Sequence, residues 1–198
     1  MAENPRATTV VAVLLVWLLA AVLAGIAGLI AQLQPPAPQG LLLAITLLSL
    51  GALWFVPPIR RWAQVADPRI FVAFHLTRFV GIYFLVLYRQ GVLPFAFAVP
   101  GGWGDIAIAA FAVVLLIVGP ATGTRARAYV VWNVLGLVDI LMVVATAARL
   151  TLTDPTSMGA LVQWPLSLLI TFVVPIIIAT HVWLFRRLGA SGSEPVQV

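Results

Sequence analysis

The chain of 198 residues is 63% hydrophobic and only 9% charged, with a formal net charge of +5. Having no cysteine, it holds no disulfide, thiolate metal site, iron–sulfur cluster or covalently attached c-type haem; having no lysine, it forms no Schiff base and carries no GK[ST] phosphate loop. The basic charge is arginine alone and sits mostly beside apolar runs, which reads as a membrane-topology signal and excludes a nucleic-acid footprint.

The apolar residues come in unbroken runs instead of helical stripes, and about 20 such residues cross roughly 30 Å of hydrocarbon as a helix. The predicted fold class is therefore all-α, a polytopic transmembrane bundle of six helices in one domain over residues 1–188, with the lipid bilayer as its first partner. Arg6 precedes a run from Val10 to Ala31 that carries no charge and is too long for a signal-peptide core, so a retained first helix is expected over about 10–32. Pro35, Pro36 and Pro38 then predict a non-helical turn from Gln32 to Gly40. A second helix is expected over about 41–57, ended by Pro57-Pro58 and followed by Arg60, Arg61 and Arg69. Asp67-Pro68 has the form of an N-cap and first helical position for a third helix over about 68–89.

Gly91 to Gly104 reads as an apolar loop that dips into the interface or covers the bundle mouth, with Trp103 as a belt residue and Asp105 as N-cap of a short fourth helix over about 105–118. Arg125 and Arg127 open a fifth helix over about 126–148, and a polar turn from Thr151 to Ser157 leads to a sixth over about 161–188. Pro175 in its middle cannot donate to the carbonyl of Thr171, so a kink is expected there. Residues 189–198 read as a disordered tail. Arg6, Arg60, Arg61, Arg69, Arg125, Arg127, Arg186 and Arg187 fall on one side of this topology, and Arg89 and Arg149 on the other, which predicts both termini in the cytoplasm and a multi-pass location in a cell inner membrane.

Ionisable residues within the spans are costly unless partnered, and they mark the candidate site. His75 and His181 lie about 10 Å from matching helix ends at about 1.5 Å per residue, with Arg78 on the face of His75 about 15 Å in. The fifth helix brings Asn133 to the histidine level and Asp139 within reach of Arg78. The expected layer is His75, His181 and Asn133, with Arg78 and Asp139 above it and Asp105 at the start of helix four. An Arg78–Asp139 pair reads either as a register-fixing structural contact or as a ligand- or proton-handling one. The histidines have three readings: hydrogen bonding to neighbouring carbonyls, hydroxyls or Asn133; axial ligation of b-type haem; or a transition-metal or proton site. Ser49 and Ser167 lack an exposed-nucleophile sequence, which argues against a serine hydrolase.

In order along the chain, His75-x-x-Arg78-x-x-Gly81, Leu93-Pro94, Pro100-Gly101-Gly102-Trp103-Gly104-Asp105, Trp132-Asn133-x-x-Gly136-x-x-Asp139 and Pro165-Leu166 through Pro175 to His181 resemble a group of uncharacterised bacterial integral membrane proteins. The resemblance spans about residues 70–187, implies that these residues form one site and carries no reaction with it. The expected function is binding or translocation of a small ligand or proton at the cluster. The alternatives are a b-type haem protein with His75 and His181 as axial ligands, and a non-catalytic subunit or assembly partner, of another membrane protein or of a second copy. An enzyme is expected only if its chemistry lies within the bilayer.

Overall fold

The computed structural model describes residues 5–121, 123 and 125–191, and among these the regular structure is entirely helical. The helices are α1 (Pro5–Ile26), α2 (Ala37–Phe55), α3 (Pro57–Val65), α4 (Pro68–Phe74), α5 (Val80–Arg89), α6 (Phe95–Val118), α7 (Arg125–Thr153) and α8 (Val174–Ser191). A 3₁₀ turn over His75–Phe79 joins α4 to α5, and a π turn over Leu169–Val173 leads into α8. Six helical stretches are long and apolar enough to cross a membrane: Ala7–Ile26, Ala37–Phe55, Pro68–Arg89, Phe95–Val118, Arg125–Thr153 and Leu169–Gly189. The last is the central one, with 56% of its most apolar window buried against 17% in the first. Large apolar side chains such as Val16, Leu48, Ile117 and Met142 point outward, the reverse of a water-exposed surface and the pattern a bilayer requires.

Several expected boundaries are corrected, each for a local reason. The first helix ends at Ile26 instead of near residue 32, because Gly28 takes a left-handed φ of 69° and Leu29 N–H returns to Ala24 O at 3.0 Å, a glycine C-terminal cap. Pro38 lies inside the first turn of α2, where its missing N–H costs nothing, so the helix starts at Ala37 and not at residue 41. The third span is not one α-helix but α4, a 3₁₀ turn and α5. Thr77 Oγ1 donates to Phe74 O (2.8 Å) within that tightened turn, a local side-chain bond that competes with the regular ladder. The proposed N-cap is present, since Asp67 Oδ1 accepts from Arg69 N at 2.8 Å with Pro68 following.

The largest correction concerns the apolar loop. Only its first residues are loop, and α6 begins at Phe95 and carries Pro100, Gly101, Gly102, Trp103, Gly104 and Asp105 within it. Asp105 is therefore not an N-cap. Its glycines are packing positions: a Cβ on Gly102 would lie 2.8 Å from Gly81 O and 3.1 Å from Leu85, and one on Gly101 3.3 Å from Val143. A Cβ on Gly104 would overlap the Asp139 carboxylate. Small residues that let backbones approach are the recurrent contact of helices in a membrane. Helix α7 also runs past the expected end, to Thr153.

The sixth span starts at the π turn, since residues 163–166 form a bend and turns. The carbonyl that Pro175 leaves without a donor is met from α1: Trp17 Nε1 donates to Thr171 O at 2.8 Å, and the indole packs edge-on against Phe172. Trp17→Phe keeps the ring and loses the donor, and is expected to lower stability by about 1 kcal/mol, read as a lower melting temperature in detergent. α8 continues to Ser191, two residues beyond Gly189 and into the stretch expected to be disordered; residues 192–198 of the expected tail lie outside the described residues.

The arginine-rich end is tied together by caps. Arg69 Nη2 donates to Leu116 O (2.9 Å) and Tyr129 Oη to Gly119 O (2.7 Å), satisfying the last carbonyls of α6. Trp183 Nε1 donates to Ala63 O at 3.0 Å, fastening α3 to α8.

Candidate functional site

The site is built where α6, α7 and α8 close around the 3₁₀ turn. In a 3₁₀ helix residues three apart eclipse one another, so His75 and Arg78 project together from that turn. Arg78 is 1% exposed. Its Nε donates to Asp105 Oδ1 at 2.7 Å, its Nη1 to Gly136 O at 2.9 Å, and its Nη2 to Asp139 Oδ2. The expected partner, Asp139, is present, and the second carboxylate comes from Asp105 on α6. Its side chain is 4% exposed, against 22% for Asp139, so the trio is sealed on the α6 side and more open at α7. Two carboxylates on one guanidinium leave one formal negative charge in excess.

The two imidazoles lie on the other side of Gly136, with ring centroids 4.2 Å apart, and Trp132 stands against both at 4.8 and 5.2 Å. Trp132 is held by its own bond, Nε1 to Ile108 O at 3.1 Å. All three site residues His75, His181 and Asn133 are 0% exposed. The hydrogen-bond network assigns each tautomer. Asn133 Nδ2 donates to His181 O (3.0 Å), which turns Asn133 Oδ1 toward His181 Nδ1 at 2.8 Å as an acceptor, so His181 carries its proton on Nδ1. Thr180 Oγ1 spends its hydroxyl proton on Ile176 O (2.8 Å) and accepts from His75 Nε2 at 3.1 Å, so His75 carries its proton on Nε2. The remaining nitrogens, His75 Nδ1 and His181 Nε2, are buried lone pairs with no hydrogen-bond partner among the described residues. Gly136 makes room for one of them: a Cβ there would lie 2.8 Å from His181 Nε2 and 2.5 Å from its Cε1.

All the residues expected at the site thus come together, Asp105 by an unexpected route. Thr180, Trp132 and Gly136 were not among the candidate residues, although Gly136 and Trp132 belong to the WNxxGxxD run, and Thr180 adjoins His181 in sequence. The donor set decides which cofactors fit. A porphyrin between two axial imidazoles separates their ligating nitrogens by about 4 Å at ~2 Å per bond, with a planar slot between the rings. Rings already 4.2 Å apart centre to centre and tilted by 56° leave no such slot, so b-type haem does not fit these residues. Among the described residues, no three His, Asp or Glu side chains gather as a metal-holding group, and a zinc site takes a fuller ligand set than two imidazoles.

Six helices long and apolar enough to cross a membrane, folded around a buried charged trio and a histidine pair, are the architecture of a helical membrane protein. The chain belongs to the family defined by the domain of unknown function DUF8737, which it matches over residues 35–189. The match takes in α2 as well as the later helices. No curated protein and no solved structure matches the chain.

Proposed function

We propose that this is a multi-pass protein of a cell inner membrane, with both termini cytoplasmic, that binds and relays a proton or a small donor-bearing ligand at the cluster of His75, Arg78, Asp105, Asn133, Asp139 and His181. The observation that carries the reading is the pair of bare imidazole nitrogens, His75 Nδ1 and His181 Nε2, buried without a donor among the described residues on rings whose centroids are 4.2 Å apart. An unpaired polar atom buried at membrane depth is costly, and a ligand with N–H or O–H donors relieves that cost at each nitrogen it reaches, as a proton does at the one nitrogen it binds. The neighbouring trio supports the same reading, because its excess negative charge favours a cationic guest. Asp139, the more open of the two carboxylates, is the natural point of exchange with the outside of the bundle. The orientation rests on the arginines, concentrated at the ends of the spans that adjoin α3 and the start of α7.

Proteoliposomes enclosing a pH-sensitive dye test the proposal under an imposed potassium diffusion potential. Wild-type protein is expected to carry protons faster than protein-free vesicles, and His181→Gln or Asp139→Asn to return the rate to the protein-free level while the protein still inserts. A wild-type rate equal to that of empty vesicles would overturn proton relay. A second reading, that the cluster only fixes helix register within an assembly, is favoured by the hydrogen bond that each of the three Arg78 nitrogens makes within the bundle. Replacing Arg78, Asp105 and Asp139 together by apolar residues and measuring both stability and flux separates the two readings.

A further inference from the structure

A second feature lies on the other side of α8, away from the charged trio. A cavity of ≈ 450 Å³ is enclosed by α1, α2, α3, α4 and α8, within the size range of ligand pockets. Its floor is Trp17, fixed by the bond to Thr171 O, and its roof is the inner face of α3, Ile59 and Trp62. From Val10 to Trp17 on α1 the cavity is about 10 Å deep at about 1.5 Å per residue. It opens sideways onto the outer surface of the bundle, since the lining residues Val13 and Leu48 are themselves exposed.

The lining offers almost nothing to a polar guest. Its two hydroxyls are committed: Ser49 Oγ donates to Ile45 O at 2.7 Å, and Thr180 Oγ1 donates to Ile176 O while accepting from His75. The guest is therefore a hydrocarbon chain. What identifies its head is the opposite face of α3. Ile59 and Trp62, three apart, turn into the cavity, whereas Arg60 and Arg61 between them are exposed and enter no ion pair among the described residues. A short helix with apolar residues on one face and arginines on the other is the form of an interfacial helix, and its arginines meet anionic headgroups.

We infer that this cavity is a lipid site that takes one acyl chain of an anionic phospholipid, whose phosphate is met outside the cavity by the exposed Arg60 and Arg61 of α3, the helix that roofs it. The site stands independently of proton relay at the histidines. It touches that cluster at one point, Thr180, which lines the cavity and accepts from His75.

The test uses the full chain in phosphatidylcholine vesicles doped with phosphatidylglycerol whose acyl chains are brominated, reading quenching of the tryptophan fluorescence that Trp17→Phe removes. Quenching is expected at a lower mole fraction of brominated phosphatidylglycerol than of brominated phosphatidylcholine. The paired change Arg60→Gln with Arg61→Gln is expected to erase that preference, by about fivefold for each arginine. Ala52→Phe, which fills the cavity, is expected to weaken quenching of Trp17 by either lipid, leaving what lipid on the outer face of α1 contributes. Equal quenching by the two lipids would overturn the anionic head, and undiminished quenching in a folded Ala52→Phe variant would put the chain outside the cavity. Relief of quenching by inorganic phosphate in the buffer would make the arginine pair an anion site and not a lipid site. Were Ala52→Phe to misfold, the arginine comparison alone would decide.

Discussion

Arg78→Met is expected to destabilise the protein by about 3–5 kcal/mol, because it strands two carboxylates that share one buried guanidinium. Asp105 is the decisive one: its side chain is 4% exposed and, among the described residues, its ion-pair partner is Arg78 Nε. Gly136 O also loses its side-chain donor. The check is a thermal melt of the purified variant in detergent against wild type. The companion experiment replaces the whole trio, Arg78→Met with Asp105→Leu and Asp139→Leu. Removing a buried ion network entirely is often neutral or stabilising by about 1–4 kcal/mol, so this variant is expected to regain most of the lost stability. Proton flux in the same triple variant then separates the two readings of the cluster. A stable variant without flux ties the charges to activity, whereas a stable variant that still conducts leaves them with a packing role. A melt for Arg78→Met within about 1 kcal/mol of wild type would show that the trio is not desolvated as described.

Gly81→Ala is the second large effect. A Cβ at Gly81 falls 2.9 Å from Asp105 Cβ and 3.1 Å from Gly102 C, and closer still to Gly102 O. These are backbone and near-backbone atoms of α6 that cannot rotate aside, so α5 and α6 must separate, at about 1–3 kcal/mol for overpacking. The displacement also moves Asp105 away from Arg78, so the variant is expected to lose flux along with stability. Gly40→Ala supplies the contrast. Gly40 sits in α2 with nothing within 4 Å of its added methyl, and alanine there is expected to leave stability unchanged or raise it by up to about 1 kcal/mol through helix propensity. Equal melting temperatures for the two variants would mean that α5 and α6 do not cross at Gly81 and Gly102.

Much of the architecture follows from charge-free length alone. The six apolar runs fall where the six span-length helices lie, and the Asp67-Pro68 start is present; at Pro175, where a kink is expected, the Thr171 carbonyl takes a donor from α1 that the sequence did not point to. What sequence reasoning missed has one main physical source. In water, glycine and proline punctuate helices, and by that rule Pro100 to Gly104 is a loop. In the bundle the same glycines are where α6 is pressed against α5 and α7, and a helix inside the membrane has no water to compensate a broken turn. Extending α6 back to Phe95 puts Asp105 about 15 Å along the span at about 1.5 Å per residue, as deep as Arg78 was expected to be. The second carboxylate was thus legible once glycine was read as a contact. The 3₁₀ turn at His75 had no comparable signal, since no proline or glycine lies between Arg69 and Val80. The tautomers were beyond the sequence too, because they are set by Thr180 and Asn133 through bonds that only the packed helices create.

The bond from Trp17 to the Thr171 carbonyl has an implication for where this protein can be divided. The family match begins at residue 35, after α1 has ended, yet α1 supplies the group that quiets the backbone above Pro175 and forms the floor of the lipid cavity. A fragment trimmed to the recognised region would keep the proline and lose its remedy.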